Sequence, residues 1–584
     1  MKSYSLELRR FKIRDVQFGN ATAYANGVLT IKKSELLKAV ASERLRNYSV
    51  DIARPGESVR IIPVKDVIEP RVKVESGKFF PGILAPCDCC GTGATVVLDG
   101  CNVVTTGQIV FYQEGLIDMS GPGAKYTIYS KTCNVVLSAD PTDDLTHAEH
   151  EREIRMAGLK AAEYLASCVR DSKADLTETW ELDSHDSSKP RIGYVYLLLA
   201  QGLLHDNYLY GNNIRTVHPC ILHPNELMDG AVVSGNCVTA CDKNTTYDHL
   251  NNPVLKELYE RHGKELDFCG VIVSPISPVL EEKERCALGI ANLCALLGLD
   301  GVIISEEGGG NPESDLMLIC RRLEQEGIST VLLAHENCGK DGTAQGITIV
   351  TKEADAVVSA GNANEIITLP PMDRVIGVSS AMNQLSGALE NSLKPDGSIE
   401  TTYTVIMDAI SNLGIMPSAW KLIRKGDVYA SGLLPESVFG QIGGEEAADH
   451  PTEIQRGAVG AAGAFQKRFS EEELEVAFTI ICGDNYFAEH TEEVLEEVRQ
   501  FLEKEKPDLL IAGPAFNAGR YGMACGNMLK LAQQHLGIPA VSAMYEENPG
   551  MEMFRLYGYI FPSGPNARDM RKTMKKLGIL LKSW

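Results

Sequence analysis

From Phe268 onward, strand and helix take turns with short loops between them, a pattern that few folds other than a parallel sheet can absorb. "FCGVIVS" reads as a strand, "LEEKERCALGIANLCALL" as a helix and "GVIIS" as a strand; "ESDLMLICRRLEQEG" follows as a helix, with "STVLLA" and "ADAVVSA" as further strands. Parallel neighbours need a long crossover, which a helix laid over the sheet supplies. The ligand crevice of such a sheet lies beyond the carboxyl ends of its strands. Three loops leave from that edge: "EEGGGNP", "HENCGKDG" and "GNANE". A second alternating unit follows, with strands "VAFTIICGD", "DLLIAGP" and "PAVSAMY", and a helix that places Val494, Val498, Phe501 and Leu502 on one face.

The first 140 residues differ. Short alternating runs such as "VLTIKK", "TVVLDG" and "NVVLSA", broken by glycines, indicate strands. "HAEHEREIRMAGLKAAEYLASCV" is a helix by spacing, and Asp171 to Pro190 reads as a polar insertion before the strand "IGYVYLLLA". At 584 residues the chain is too long for one core. The expected fold class is α/β: a β-rich N-terminal domain (1–140), then doubly wound parallel-sheet domains. These comprise an α/β region at 141–260, a parallel domain at 261–414, a junction at 415–440 and a second unit at 441–584.

Seventy-eight acidic against 56 basic residues leave a net charge of -22, which repels a phosphate backbone, so no nucleic-acid partner is expected. The start, "MKSYSLELRRFKIRD", has no apolar leader, and no window reaches the ~20 apolar residues of a membrane span. A cytoplasmic protein with no membrane partner is expected. The 16 cysteines are mostly scattered singly through apolar runs, as free core thiols would be. Loops hold the exceptions: Cys87, Cys89 and Cys90 in "PCDCCGTG", Cys237 and Cys241 in "SGNCVTACDKNTTYDHLNNPV", and Cys338 in "HENCGKDG".

The Asn236–Cys237 bond in that second loop is chemically distinctive. A cysteine can attack the preceding carbonyl through sulfur, turning amide into thioester where the fold strains the bond and a base takes the thiol proton. Loss of such an ester by β-elimination leaves dehydroalanine and then a pyruvoyl group at the new chain end. That carbonyl condenses with a substrate amine and weakens its carbon–nitrogen bond. Asp242, Lys243, Asp248 and His249 are candidates for moving protons around Cys237, with His205 and Asp206 as a second pool. The competing reading is an ordinary loop with a reducible thiol pair.

Longer stretches carry a resemblance. "DVQFGNATAYANGVL", "ARPGESVRIIPVKDVIEPRVKVE", "FYQEGLIDMSGPGAKYTIYS", "QGLLHDNYLYG", "SGNCVTACDKNTTYDHLNNPV" and "DGVIISEEGGGNPESDLM" resemble the substrate-binding component B of the glycine, sarcosine and betaine reductases of amino-acid-fermenting anaerobes. From near Ser5 to about Leu413 the similarity is to its pyruvoyl-forming proprotein subunit. "FGQIGGEEAADHPTEIQRGAVG", "ICGDNYF", "DLLIAGPAFNAGRYGMACG" and "YEENPGMEMF" are similar to the amino-terminal part of the selenoprotein subunit, so the chain looks like a fusion of the two. The relatives' selenocysteine falls downstream of the part matched here, and the codons after Trp584 would show whether such a remainder follows.

The resemblance implies cleavage after Asn236, with Cys237 becoming a covalent pyruvoyl group and Cys241 as runner-up. It implies an oxidoreductase component that binds the amine of glycine, sarcosine or betaine for reductive deamination, with a disulfide as product. Its partners would be selenoprotein component A, component C and the thioredoxin system, within an oligomer. An unprocessed assembly protein and a pyruvoyl enzyme of the D-proline reductase kind are the alternatives.

Further candidates surround these. Glu306 and Glu307 can orient a cationic amine or form a solvated loop, and Asn311 and Asn362 lie in adjoining glycine-rich turns. Glu445, Glu446, Asn517 and Arg520 stand where they could line a second crevice. The run "GGGNP" lacks the G-x-G-x-x-G order, so no NAD is expected. "CDCC" is too cramped for a lone zinc, so no metal is expected, although a partial site or oxidisable cluster competes with a plain surface loop.

Overall fold

The computed structural model describes residues 4–110, 114–182, 188–201, 206–235, 243–339, 346–347, 349–385, 388–413, 421–424, 450–457, 476–516 and 518–564. It is a mixed α/β structure. In the β-rich N-terminal part, Leu6–Lys12 runs parallel to Gly93–Asp99 and antiparallel to Leu176–Trp180. Part of the stretch expected as a polar insertion is therefore an edge strand. Its Leu-Thr-Glu-Thr-Trp sequence stays largely exposed, so no apolar run announces it. Val59–Val64 likewise takes Arg374–Gly377 as a parallel neighbour, so strands from beyond residue 140 complete this region.

The first long helix, α1 (His147–Ser167), begins in a capping box in which Thr146 and Glu149 satisfy each other's backbone N–H groups, an arrangement worth about 1 kcal/mol. Its Ile154, Ala157, Ala161 and Leu165 are buried with Phe11, Val96, Val103 and Val135 of the N-terminal sheets. The short helix α2 (Thr246–Leu250) repeats the device with Thr245 and Asp248.

The parallel region forms one seven-stranded sheet. In chain order its strands are β1 (Arg191–Leu199), β2 (Cys220–Leu222), β3 (Asp267–Ile276), β4 (Gly301–Ser305), β5 (Ser329–Glu336), β6 (Ala356–Asn362) and β7 (Lys421–Arg424). Across the sheet they lie as β2-β3-β1-β4-β5-β6-β7. The five inner strands are parallel and the two edges antiparallel. Lys421–Arg424, within the stretch expected as a junction, is thus a strand of this sheet, and the rest of 415–440 lies outside the described residues.

Helices α3 (Leu280–Leu297) and α4 (Asn311–Gln325) follow β3 and β4. Because successive strand residues face opposite sides, β1 reads as a continuous apolar run that serves two cores. Val195, Leu197 and Leu199 pack with Ile290, Leu316 and Ile319 of these helices. Tyr194, Tyr196 and Leu198 pack on the other side with Leu227, Leu255 and Phe268. The last unit has three parallel strands, Leu510–Phe516, Ala540–Met544 and Tyr559–Pro562. They join Thr491–Glu505 and Gly519–Lys530 in a core that contains Val498, Leu529 and Phe554 and also reaches Leu280 of α3. Among the described residues no helix is long and apolar enough to cross a membrane.

Candidate functional site

The site is built where β1 and β4 end. Tyr194 and Tyr196 are fully buried on one face of β1, and a buried phenol needs a polar partner for its hydroxyl. Tyr194 meets Ser305 of β4 at 2.6 Å, while Asn252 donates to its hydroxyl at 3.1 Å. Tyr196 meets Nδ1 of His249, on α2, at 2.7 Å. The imidazole's other nitrogen, Nε2, lies 3.2 Å from Oδ1 of Asn207. That amide oxygen can only accept, because Asn207 Nδ2 donates to Glu307 at 2.6 Å. Nε2 therefore carries the proton, and Nδ1 accepts from Tyr196.

Asn244 closes the ring. Its side chain donates to the Tyr196 hydroxyl at 3.1 Å and its backbone N–H to Glu307 Oε1 at 3.0 Å. Glu307 also takes the N–H of Leu199 at 2.6 Å, at the end of β1. Burial pushes its carboxyl up, against the pull of Lys243 and these donors. Burial, followed by the charge of Lys243, drives His249 well below the usual imidazole value, so the ring is neutral at physiological pH.

Beside it lies a second cluster. The Tyr129 hydroxyl is 2.7 Å from Thr245 Oγ1 and donates to Asp248 at 2.9 Å. Asp408 shares a hydrogen bond with Asp248, and burial raises both carboxyls. Two carboxyls in contact cannot both ionise cheaply, so the pair holds a proton between them.

The described residues on either side of 236–242 are bound to each other. Lys243, 5% exposed, donates to Ser234 Oγ at 2.8 Å, and the Ser234 N–H reaches Thr246 Oγ1 at 3.1 Å. Thr246 in turn donates to both oxygens of Asp66 at 2.9 and 2.6 Å. Arg71, fully buried, clamps the same region from outside: it pairs with Glu69 and donates to the carbonyl of Met228 at 2.5 Å and to Asn251 Oδ1 at 3.0 Å.

Burial lifts Asp66 to about 7 despite its donors. An unfolded aspartate titrates near about 3.9, so the folded chain holds this proton more tightly. The resulting stability is complete below the unfolded value and is lost as pH rises towards the folded one. Urea midpoints measured across that window should fall with rising pH, and Asp66→Asn should flatten the slope by up to about one proton. An unchanged slope removes Asp66 as the titrating group.

Of the residues expected from sequence, His249 and Glu307 meet through Asn207 in this network. Asn236, Cys237, Cys241, Asp242, His205, Glu445, Glu446 and Asn517 lie outside the described residues. Glu306 and Glu307 are both buried, at 1% and 0% exposure, so the alternative of a solvated loop does not hold. Their loop runs close to β5: a Cβ on Gly309 would stand 2.6 Å from His335 Nε2 and 2.5 Å from Asn337 Nδ2, so a side chain there would displace those two.

Asn311 joins the first parallel unit to the last one. It accepts from Gln201 at 2.8 Å and donates to the carbonyl of Pro549 at 3.3 Å. Asn362 organises backbone, accepting from Cys338 N–H and donating to Gly339. Arg520 faces Asp484 at 3.9 Å, and Asp206 pairs with Arg215 at 3.1 Å. Cys87–Cys89 form a single helical turn in which Cys87 is exposed, while Cys90 points inward to the carbonyl of Glu226. Sequence reasoning missed Asp66, Tyr129, Tyr196, Asn207, Asn244 and Asp408.

Comparison with known proteins matches the chain in two parts. The profile of glycine/sarcosine/betaine reductase component B subunits matches residues 4–421, and that of glycine/sarcosine/betaine reductase selenoprotein B matches 436–584. Glycine reductase complex component B subunits alpha and beta of Peptoclostridium acidaminophilum are 48% identical over 417 residues, covering 70% of this chain and 97% of their own length. Sarcosine reductase complex component B subunit alpha of the same organism is 45% identical over 410 residues, covering 69% and 96%. Glycine reductase complex component B subunit gamma of Carboxydothermus hydrogenoformans is 48% identical over 142 residues, and the chain spans only 32% of that protein's length. No solved structure matches. The chain belongs to the family of glycine/sarcosine/betaine reductase component B subunits.

Proposed function

We propose that the chain is a proprotein that cuts itself between Asn236 and Cys237 and then activates the amine of glycine, sarcosine or betaine for reductive carbon–nitrogen cleavage. One observation carries this reading. Ser234 and Lys243, which bracket the bond, are hydrogen-bonded to each other beside a neutral imidazole and a proton-sharing carboxyl pair, all buried. Those are the groups an acyl shift from nitrogen to sulfur needs: a base for the thiol and an acid for the departing nitrogen.

Sulfur of Cys237 attacks the Asn236 carbonyl and the peptide nitrogen gains a proton. β-Elimination then breaks the carbon–sulfur bond and releases the Asn236 end as a thiocarboxylate, which water converts to carboxylate and sulfide. The dehydroalanine left behind takes up water and loses ammonia to give the pyruvoyl end.

When formed, that carbonyl supplies an electrophile for the amine of glycine or sarcosine, whereas the quaternary nitrogen of betaine has no lone pair to add to it. The chain's own groups suit such a neighbour. Lys243 brings a buried cation, Glu307 and the carboxyl pair balance charge, and the Asn207–His249–Tyr196 relay fixes proton positions through direct hydrogen bonds. The proposed setting is the cytoplasm, with transfer of the product to selenoprotein component A, component C and thioredoxin-type thiols completing the reaction in an oligomeric complex.

Intact mass tests this. The purified chain should yield one fragment ending at Asn236 and one blocked fragment starting at residue 237 whose mass shifts with hydroxylamine. A single uncut 63.6 kDa chain, inert to hydroxylamine, would refute the reading.

A further inference from the structure

A cleft of about 570 Å³ opens where the first turns of α1 face the hairpin around Tyr208. Glu151, Arg152 and Arg155 line it from the helix, and Asp206, Tyr208 and Arg215 from the other side. Three arginines face two carboxylates in this lining, and Glu153 pairs with Arg152 at 3.4 Å, a neutral balance that suits an anion accompanied by its own cation.

The arginines are held in place before any ligand arrives. Arg155, 9% exposed, donates to Glu151 at 2.8 and 3.4 Å, and its guanidinium lies 3.8 Å from the centroid of the Tyr208 ring. Arg215 donates through one nitrogen to both oxygens of Asp206, at 3.2 and 3.1 Å, and keeps 49% of its side chain exposed to the cleft and solvent. A guanidinium fixed at one nitrogen still offers a fork to a carboxylate.

Gly235 stands against three residues of this lining, Asp206, Tyr208 and Glu151. Its N–H donates to the Asp206 carbonyl at 3.2 Å, and a Cβ there would lie 2.4 Å from that carbonyl oxygen, 3.3 Å from the Tyr208 ring and 3.5 Å from Glu151. A side chain at 235 would therefore collide with this lining, and the next residue in the chain is Asn236.

We propose that this cleft is a carboxylate subsite for a small zwitterionic amino acid, with Arg215 and the stacked Arg155 holding the carboxylate while the amine lies at the Gly235 end. This rests on the reading that the electrophile forms at residue 237. Glycine, sarcosine and betaine share their carboxylate and differ only at nitrogen, so the subsite serves all three and methylation is sensed elsewhere. The cleft exceeds one such molecule several-fold and leaves an approach for a second reactant.

Borohydride capture of labelled glycine and of methylamine, which lacks the carboxylate, tests the assignment on the full chain, with fragment masses recorded on the same samples. Arg155 is buried against Glu151 and its loss risks the fold, so the half-exposed Arg215 carries the test. Arg215→Gln should be cut normally, need about tenfold or more glycine for half-saturation and capture methylamine as wild type does. Arg215→Lys should recover part of the loss, keeping the charge but not the fork. If cut Arg215→Gln captures glycine at the wild-type half-saturation, or loses methylamine equally, the subsite assignment is overturned and the Cys237 reading stands. If the wild type is neither cut nor able to capture an amine, the Cys237 reading falls and takes the subsite with it.

Discussion

A Cys237→Ala chain is expected to stay whole: with no nucleophile at 237, the 63.6 kDa polypeptide should persist uncut and unreactive to hydroxylamine for the life of the sample. The alanine removes one sulfur and leaves the flanking network of Ser234, Lys243 and Thr246 in place, so thermal unfolding should change little. Cys237→Ser separates nucleophile from element. A hydroxyl can form the corresponding ester and still eliminate, so slow cutting should survive while no sulfide is released. Cys241→Ala should cut as wild type does, with the first fragment still ending at Asn236. A fragment ending at residue 240 in the wild type moves the reaction to Cys241.

The second large effect concerns Arg71. It is fully buried, paired with Glu69, and reaches the chain both before and after the proposed cut through Met228 and Asn251. Arg71→Met strands the Glu69 carboxylate away from water, and breaking a buried pair in this way costs about 3–5 kcal/mol. The variant should unfold at clearly lower urea and be cut slowly. Replacing both partners with apolar groups of similar volume usually restores stability. Arg71→Met with Glu69→Met should therefore regain most of the urea midpoint while cutting stays slow, because the clamp on Met228 and Asn251 is not rebuilt. Wild-type cutting in the double variant would show that Arg71 serves stability alone.

The inner strands of the seven-stranded sheet were legible because apolar runs such as "FCGVIVS" and "GVIIS" alternate with helices of clear period. Leu176–Trp180 was not, since an edge strand exposes its Thr and Glu side chains and carries no apolar signature. Lys421–Arg424 was read as junction for a similar reason: a strand of four residues is too short to show a period. In the site, Glu307 and His249 could be singled out by residue type in polar loops. Tyr196 could not, because a tyrosine in an apolar strand reads as packing until its hydroxyl is seen on His249. Asp66 and Thr246 meet across 180 positions, and no local pattern records such a contact.

The strand order has a consequence for a cut chain. β1 and β2 precede residue 236 and β3 to β7 follow it, yet β1 lies between β3 and β4. A nick at Asn236 would leave two polypeptides threaded through one sheet, inseparable under native conditions and resolved only on a denaturing gel. Maturation would then be a one-way ratchet. The uncut chain weaves the sheet with its segments tethered, whereas two loose pieces mixed after denaturation would have to find each other by diffusion before the central strand could be inserted.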